Sequence, residues 1–378
     1  MKPIGILGGG QLARMLVLEA HRLNLPVAIL SPLESDPART VTGSWHKGNP
    51  NKSDDLLRFM KLCSSVTYES EFFDAALIES VSKQTKTPVF PEPVLMAKLQ
   101  DRLTQKSLFD DCDLPTSPWR PVDSQNDALV AYVALGRRVV FKKRRGGYDG
   151  NGTFIVRGDR ELTDFVGKMG KESYIAEKLV RFKREVAVVA VRDQRGAIFF
   201  FPFTETFQKD ARCLWVKGPL KETKIFGDLK TRIAHFLKRT NYVGAMGIEI
   251  FDTGKELIIN EIAPRVHNSG HYTMDAFDLN QFSLHLRAVS MFPLPRGFAV
   301  PTSKAFAMWN LIGDVPSSDL RPWFSKPSTT EAKVHWYGKL ESKPGRKMGH
   351  VNALAKKPEL ALKIAQQAAK QARRDIGF

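Results

Sequence analysis

Residues 247–271 read GIEIFDTGKELIINEIAPRVHNSGH. An apolar run ends at Phe251, a tight turn falls on Asp252-Thr253-Gly254-Lys255, and a second apolar run starts at Leu257. This is the pattern of a β-hairpin. With the turn centred near Gly254, Glu249 and Glu261 lie nearly opposite one another on neighbouring strands. Opposed side chains in a sheet stand roughly 4.5–5.5 Å apart at Cβ, and like charges there repel. The pair suits a cation between two carboxylates, and Mg²⁺ is commonly held by one or two carboxylates plus phosphate oxygens. Two glutamates on an idle exposed face are the plain alternative. The second strand leads directly into Arg265, His267, Asn268, Ser269 and His271.

Working outward, 378 residues exceed one ordinary core and imply two or three domains. An apolar share of 43% and a charged share of 26% belong to a soluble globular protein. The opening MKPIGILGGGQLARM is too short an apolar run for a signal peptide or membrane span, so no membrane association is expected. Cys63, Cys112 and Cys213 lie far apart without metal-type spacing, which points to small apolar residues in a reduced, cytoplasmic setting. The net charge of +17 admits a nucleic acid or an anionic small substrate. Its basic residues are spread along the chain with no zinc-finger, basic-zipper or RNP-type motif, so specific nucleic-acid binding is not expected.

The N-terminus reads as a βαβ unit: strand 2–7, glycines 8–10, helical spacing of Leu12, Met15, Leu16 and Leu23, and strand 26–30. Gly8-Gly9-Gly10-Gln11-Leu12-Ala13 fits the dinucleotide fingerprint, whose physical content is a backbone and helix N-terminus able to approach a phosphate. A glycine turn that merely joins strand to helix would look the same. Helices at 54–62 and 74–82 flank a strand at 65–68, and Pro88, Pro91 and Pro93 punctuate the end of this region. Glu69 and Glu71 close the strand, where open α/β sheets hold ligands or merely display solvated acids. A helical pattern covers 94–109 with Asp101, Arg102 and Lys106 on it, then Thr116-Ser117-Pro118-Trp119 breaks the chain.

The second informative stretch is KKRRGGYDGNGTFIV, residues 142–156. A strand at 138–142 ends in basic residues, passes four glycines and re-enters a strand at 153–156. Without a following helix or GK[ST], this is no P-loop. It reads as a glycine hairpin lid over polyphosphate with Lys142 as a point charge, or as a floppy basic surface turn. Strand 173–180 ends near Glu177, and Glu185 opens another; such acids can hold ribose hydroxyls and an adenine amino group or simply guard a sheet edge. Helices follow at 229–237 and 281–291, a Phe-Pro-Leu-Pro link at 292–295, strands at 305–313 and 333–339, a basic turn SKPGRKMGHVN at 342–352 and a terminal helix at 358–374.

GGGQLARM (8–15), DRLTQK (101–106), RRGGYDGNG (144–152), NEIAPRVHNSGH (260–271), HWYGK (335–339) and PGRKMGH (344–350) occur in this order. Together they resemble the ATP-grasp superfamily, and within it the 5-(carboxyamino)imidazole ribonucleotide synthase family, over essentially the full length. The resemblance implies a mixed α/β and α+β fold: an N-terminal Rossmann-like domain (1–95), a two-lobed ATP-grasp domain (96–296) and a small C-terminal domain (297–378). It implies ATP-dependent carboxylation of aminoimidazole ribonucleotide by bicarbonate, with Mg²⁺, in a homodimer. Carried over by residue, Arg102 and Lys142 meet ATP phosphates under the lid of Gly146, Gly147, Tyr148, Asp149, Gly150, Asn151 and Gly152. Glu177 with the backbone of Lys178 and Val180 takes adenine, Glu185 the ribose, and Glu249 and Glu261 the metal, with Gln208 and Asn260 also on the ATP side. The ribonucleotide falls to Gln11, Tyr148, Asp149, Arg265, His267, Asn268, Ser269, Lys339 and Arg346, of which Asp149, Arg265 and Lys339 are the candidate catalytic groups.

The chain departs from the family where TETFQKDARCL (204–214) stands for a segment like THNLHQDGIL, so that Gln208 takes the His position. Arg145 adds charge beside the lid where relatives carry a smaller or neutral residue, and Ala13 replaces a common Gly. A sister ATP-grasp enzyme such as formate-dependent glycinamide ribonucleotide transformylase would share the ATP and metal sites. A non-catalytic nucleotide- or RNA-binding protein would have little use for the paired acids. Nothing after residue 100 supports a nicotinamide site.

Overall fold

The hairpin forms, and with one extra residue that the sequence does not announce. A computed structural model describes residues 2–377 other than 148–149, 291, 296–298, 319 and 321–330. Tyr148, Asp149 and Met291 of the expectations above therefore lie outside the described residues.

The N-terminal region is a five-stranded parallel sheet of β1 (Ile4–Leu7), β2 (Val27–Ser31), β3 (Trp45–Lys47), β4 (Ser65–Tyr68) and β5 (Val89–Phe90) in the order 3-2-1-4-5. Its three inner strands, β2, β1 and β4, are buried on both faces, as parallel strands between helices must be. Helix α1 (Gln11–Arg22) covers one face, while α2 (Ser53–Met60) and α3 (Ala75–Thr85) cover the other.

The helical pattern over 94–109 is two helices, α4 (Pro93–Gln100) and α5 (Arg102–Asp111). The break is Asp101: extended, it caps α5 by accepting from Leu103 N at 2.9 Å and also takes Arg144 at 2.7 Å and Arg145 at 3.2 Å. The four-stranded lobe follows, β6 (Trp119–Val122), β7 (Val139–Lys143), β8 (Thr153–Val156) and β9 (Tyr174–Lys178) in the order 6-9-7-8, backed by α6 (Gln125–Ala134) and α7 (Asp159–Lys168).

The large sheet takes β10 (Arg184–Arg192), β11 (Ile198–Phe200), β12 (Thr204–Lys209), β13 (Arg212–Gly218), β14 (Gly244–Asp252) and β15 (Leu257–Ala263). It continues through β16 (Ala305–Ile312), β17 (Ala332–Trp336) and β18 (Lys347–Ala355) in the order 15-14-10-12-13-16-18-17, with β11 beside β10. The C-terminal region thus extends the central sheet instead of building its own, and β16 covers the edge that β13 would otherwise expose. The segment read as a basic turn over 342–352 is a turn only to residue 346; Lys347 onward is strand, paired on both sides by β16 and β17. Its Met348, Val351 and Ala353 are fully buried, a pattern hidden in the sequence by the polar His350 and Asn352 between them.

One face of the large sheet packs on α8 (Lys224–Arg239), with Val186, Val188, Met246, Ile248 and Ile250 against Phe226, Leu229, Ile233 and Phe236. Side chains alternate along a strand, so Glu185 and Glu249 face the opposite way. On that side lie α9 (Thr273–Ala276) and α10 (Gln281–Val289), buried except at Arg287, and α11 (Pro358–Ile376) closes the C-terminal strands with Ala361, Ala365, Ala369, Ala372 and Ile376. Cys63, Cys112 and Cys213 are free and buried. No helix among the described residues is long and apolar enough to cross a membrane.

Candidate active site

Glu249 and Glu261 face each other across β14 and β15 because of a bulge. The register runs Asp252 with Leu257, Phe251 with Ile258 and Ile250 with Ile259, then jumps to Glu249 with Glu261. Asn260 is the extra residue, and a bulge re-aims side chains in this way. Without it Glu249 would face Asn260, and Glu261 would turn to the α8 side. Burial, then the Glu261 and Glu185 carboxylates, push the Glu249 carboxyl well above the usual range. Burial alone pushes Glu185 up to about 7, and its Oε2 is buried without a hydrogen-bond partner. Three acids on one face, one with an unpartnered oxygen, have the chemistry of a hard-cation site. Among the described residues no three His, Cys, Asp or Glu side chains close a metal cage of their own. A cation here needs further oxygens from a ligand.

The bases stand opposite. Lys142 donates to Asn260 Oδ1 at 2.8 Å and pairs with Glu177 Oε1 at 3.0 Å, so the bulge residue meets the lobe carrying the glycine loop. Lys106, almost fully buried, reaches Glu177 Oε2 at 3.2 Å and Asn260 O at 3.3 Å. Glu177 also accepts from Ser117 Oγ at 2.9 Å. Burial pushes the Glu177 carboxyl up, but Lys106 and Lys142 outweigh it and hold the group at about 2. Glu177 is therefore no solvated edge charge; it fixes two lysines. Lys106 and Ser117 were absent from the sequence-derived site, and no spacing rule flags Ser117.

Arg102 donates to Glu261 Oε2 at 3.3 Å, Lys143 O at 3.1 Å and Gly147 O at 3.4 Å, which ties the loop base to the hairpin acid. Gly146, Gly150 and Gly152 have φ of +71°, +80° and +78°, and a Cβ on Gly147 would stand 2.7 Å from Arg102 Nη1. These glycines are required by backbone geometry and by the close guanidinium. Asn151 is exposed between them. Arg145 shares the single Asp101 carboxylate with Arg144. The Lys178 N–H is spent on Pro118 O at 2.8 Å. Gln208 sits at the irregularity between β12 and β13, opposite Cys213.

Arg265 is gripped by Glu71 through two parallel bonds, one of 2.9 Å from Nη2 and one from Nε, and it donates to Val266 O at 3.2 Å. Two of its five N–H groups remain for a ligand. His267 Nδ1 accepts from Ser269 N at 3.3 Å and meets Ser269 Oγ at 2.8 Å, so its proton sits on Nε2, 3.7 Å from Glu249 Oε1. Burial, Arg265 and Lys347 push its pKa to about 3, which keeps the ring neutral. Asn268 makes a reciprocal amide pair with Asn310 at 3.0 and 2.7 Å and is committed to the fold. Lys339 donates to Gln11 Oε1 at 2.6 Å, joining the C-terminal segment to α1, whereas Arg346 donates to Glu341 O of its own turn at 3.0 Å.

The Gly8–Gly10 turn does not await a phosphate. Glu69 accepts from Gly10 N at 2.8 Å and Ala13 N at 3.0 Å, and a Cβ on Gly8 or Gly10 would strike its side chain. A carboxylate of the chain itself occupies the helix N-terminus. Glu69 and Glu71 thus organise the glycine turn and Arg265 respectively, roles that only the tertiary contacts reveal.

Three family models match: a ribonucleotide synthetase preATP-grasp domain over 1–100, an ATP-grasp domain over 107–282 and a phosphoribosylaminoimidazole carboxylase C-terminal domain over 307–363. The N5-carboxyaminoimidazole ribonucleotide synthase of Synechococcus elongatus is 36% identical over 92% of this chain and 88% of its own. The ADP-complexed N5-carboxyaminoimidazole synthetase of Staphylococcus aureus superposes with a TM-score of 0.89 at 30% identity, covering 97% and 96% of the two chains. The Aspergillus clavatus N5-carboxyaminoimidazole synthase, in complex with ADP and 5-aminoimidazole ribonucleotide, gives 0.87 at 26% identity and covers 99% of each. With its acid pair, lysine cluster and glycine loop in this fold, the chain belongs to the N5-carboxyaminoimidazole ribonucleotide synthase family of ATP-grasp proteins.

Proposed function

We propose that this chain joins bicarbonate to the exocyclic amine of 5-aminoimidazole ribonucleotide, with cleavage of ATP to ADP and phosphate, as a cytoplasmic homodimer of de novo purine synthesis. The observation that carries the reading is the facing pair Glu249–Glu261 opposite Lys142 and Arg102. Glu249 and Glu261 would hold Mg²⁺, which would shield the ATP phosphates as charge shifts among them, and Glu185 beside them would take the ribose hydroxyls. Lys142 and Lys106, kept in register by Glu177, neutralise the polyphosphate from the other lobe.

Bicarbonate is a poor electrophile. Its oxygen attacks the γ-phosphorus, the bond to the ADP oxygen breaks, and carboxyphosphate forms. This mixed anhydride releases CO₂ and phosphate beside the amine, which attacks the carbon and loses a proton. Arg265 has two N–H groups left to hold the anionic intermediate. Asp149 and Lys339 are the candidate groups that orient or deprotonate the amine, and His267, Ser269, Gln11 and Arg346 bind the ribonucleotide. Because carboxyphosphate is lost to water, the loop 146–152 closes before transfer.

The test is ADP release measured with aminoimidazole ribonucleotide and with bicarbonate or formate supplied separately. Dependence on the ribonucleotide with stimulation by bicarbonate is expected; stimulation by formate alone would transfer the chain to the sister reaction. Label from ¹⁸O-bicarbonate should appear in phosphate, and its absence would remove carboxyphosphate.

A further inference from the structure

Within the segment that runs from Arg265 to His271, His267 and His271 are held by the carboxamide of Gln281 at the first turn of α10. Gln281 is fully buried. Its Oε1 accepts from His267 N at 2.9 Å, and its Nε2 donates to His267 O at 2.8 Å and to His271 Nδ1 at 3.0 Å. Both backbone groups of His267 are thus read by the same side chain, and the amide has only one orientation that satisfies all three partners. The packing is equally close: a Cβ on Gly270 would stand 2.7 Å from Gln281 Oε1. Gln281 is itself fixed, its N–H donating to Thr273 Oγ1 at 3.1 Å.

One turn further along α10, His285 holds the large sheet to the N-terminal sheet. Its Nδ1 accepts from Ala245 N at 3.0 Å, and its Nε2 lies 2.8 Å from Thr67 Oγ1. The polar face of this buried helix therefore carries two different connections. His285 joins domains; the Gln281 carboxamide serves the ligand-facing segment.

We propose that Gln281 is a positioning residue for the ribonucleotide. It sets the peptide at His267, and through it the Nε2–H of His267 and the hydroxyl of Ser269, without touching ATP or its metal. The proposal rests on the reading of residues 265–269 as part of the ribonucleotide site. It predicts a larger loss for the ribonucleotide than for the nucleotide, because Gln281 does not contact the lysine cluster and reaches the hairpin acids only through His267 Nε2, 3.7 Å from Glu249 Oε1.

The experiment compares the wild-type full-length chain with Gln281→Met and Gln281→Glu. Gln281→Met removes all three bonds, while Gln281→Glu is isosteric and keeps an acceptor for His267 N. ADP release is followed against ribonucleotide and against ATP, ADP binding by calorimetry, and folding by thermal melting. Gln281→Met should lower kcat/KM for aminoimidazole ribonucleotide about tenfold or more, as loss of buried hydrogen bonds does. KM for ATP and Kd for ADP should stay within about twofold of wild type, and Gln281→Glu should recover part of the loss. Equal losses for both substrates, unaltered kinetics, or failure of both variants to fold would each overturn the proposal. Wild-type ADP release that ignores the ribonucleotide would instead strike the functional reading beneath it, so the two failures are told apart by the wild-type control.

Discussion

Two carboxylate sites lie on either side of Asn260 and differ in what surrounds them. Glu177 lies between Lys106 and Lys142 and is held at about 2, the condition of an acid whose counter-ions are already present. Glu249 faces Glu261, with Glu185 on the same side, and its carboxyl is pushed well above the usual range. Both sites are partly or wholly withdrawn from water, so burial does not distinguish them. The sign of the neighbours does. An acid among bases organises the protein, whereas an acid among acids is arranged for something positive that arrives with the ligand.

If that contrast holds, removing a charge has opposite consequences at the two sites. The largest effect is on turnover. Glu261→Gln should lower the ADP-forming rate by about 10²- to 10³-fold, the range seen when one preorganised electrostatic contact is lost, with an unchanged fold by circular dichroism. Turnover near wild type would dissolve the metal assignment. Chelation of Mg²⁺ should have at least the same effect on wild-type enzyme.

The next effect is on stability. Glu177→Gln leaves two lysines close together in a buried site without their carboxylate, which costs about 3–5 kcal/mol in urea unfolding. Glu261→Gln should cost little or nothing by the same measurement. Equal losses at the two positions would break the comparison.

The same contrast has a pH signature. The carboxyl of Glu177 is depressed when folded, from an ordinary value of 4.5 to about 2. Such a group contributes stability that is fully present above the unfolded value and is lost as pH falls through the folded one. Wild-type stability should therefore drop between about pH 4.5 and 2, at up to about 1.4 kcal/mol per pH unit from this group, and the slope should be shallower in Glu177→Gln. Urea titrations across that window, with both proteins folded at their start, measure the difference.

How far this was legible in the sequence follows from range. The hairpin, the glycine loop and the βαβ opening are local patterns, and each is present where 247–271, 142–156 and 2–30 led one to expect it. The pairing of Glu249 with Glu261 was also read correctly, but only because the bulge at Asn260 compensates for a hairpin whose simple register would have separated them. Long-range contacts were not legible. Glu71 on Arg265 is separated by 194 residues, and Gln281 on His267 sits at the start of a helix that reads as ordinary core. The break at Asp101 and the strand at Lys347 were missed because a cap and a buried polar strand leave the hydrophobic period almost unchanged.

The smallest effect sharpens the comparison most, because it reverses the usual sign. A carboxyl whose folded pKa is raised carries a stability penalty that is full above the raised value, shrinks as pH falls below it and is gone only below the unfolded value. Glu249→Gln removes the charge from the crowded face at no loss of volume. Without nucleotide and Mg²⁺ it should raise the melting temperature at pH 8 by a few degrees, about 1 kcal/mol, while abolishing metal-dependent ADP formation. Added Mg²⁺ and ADP should stabilise wild type and leave Glu249→Gln almost unmoved, since a cation that binds only the folded state shifts stability by mass action. A variant that is less stable than wild type in the absence of ligand would mean that the Glu249 charge is already compensated in the free protein. The division between an acid that organises and an acid that waits would then fail at its own defining residue.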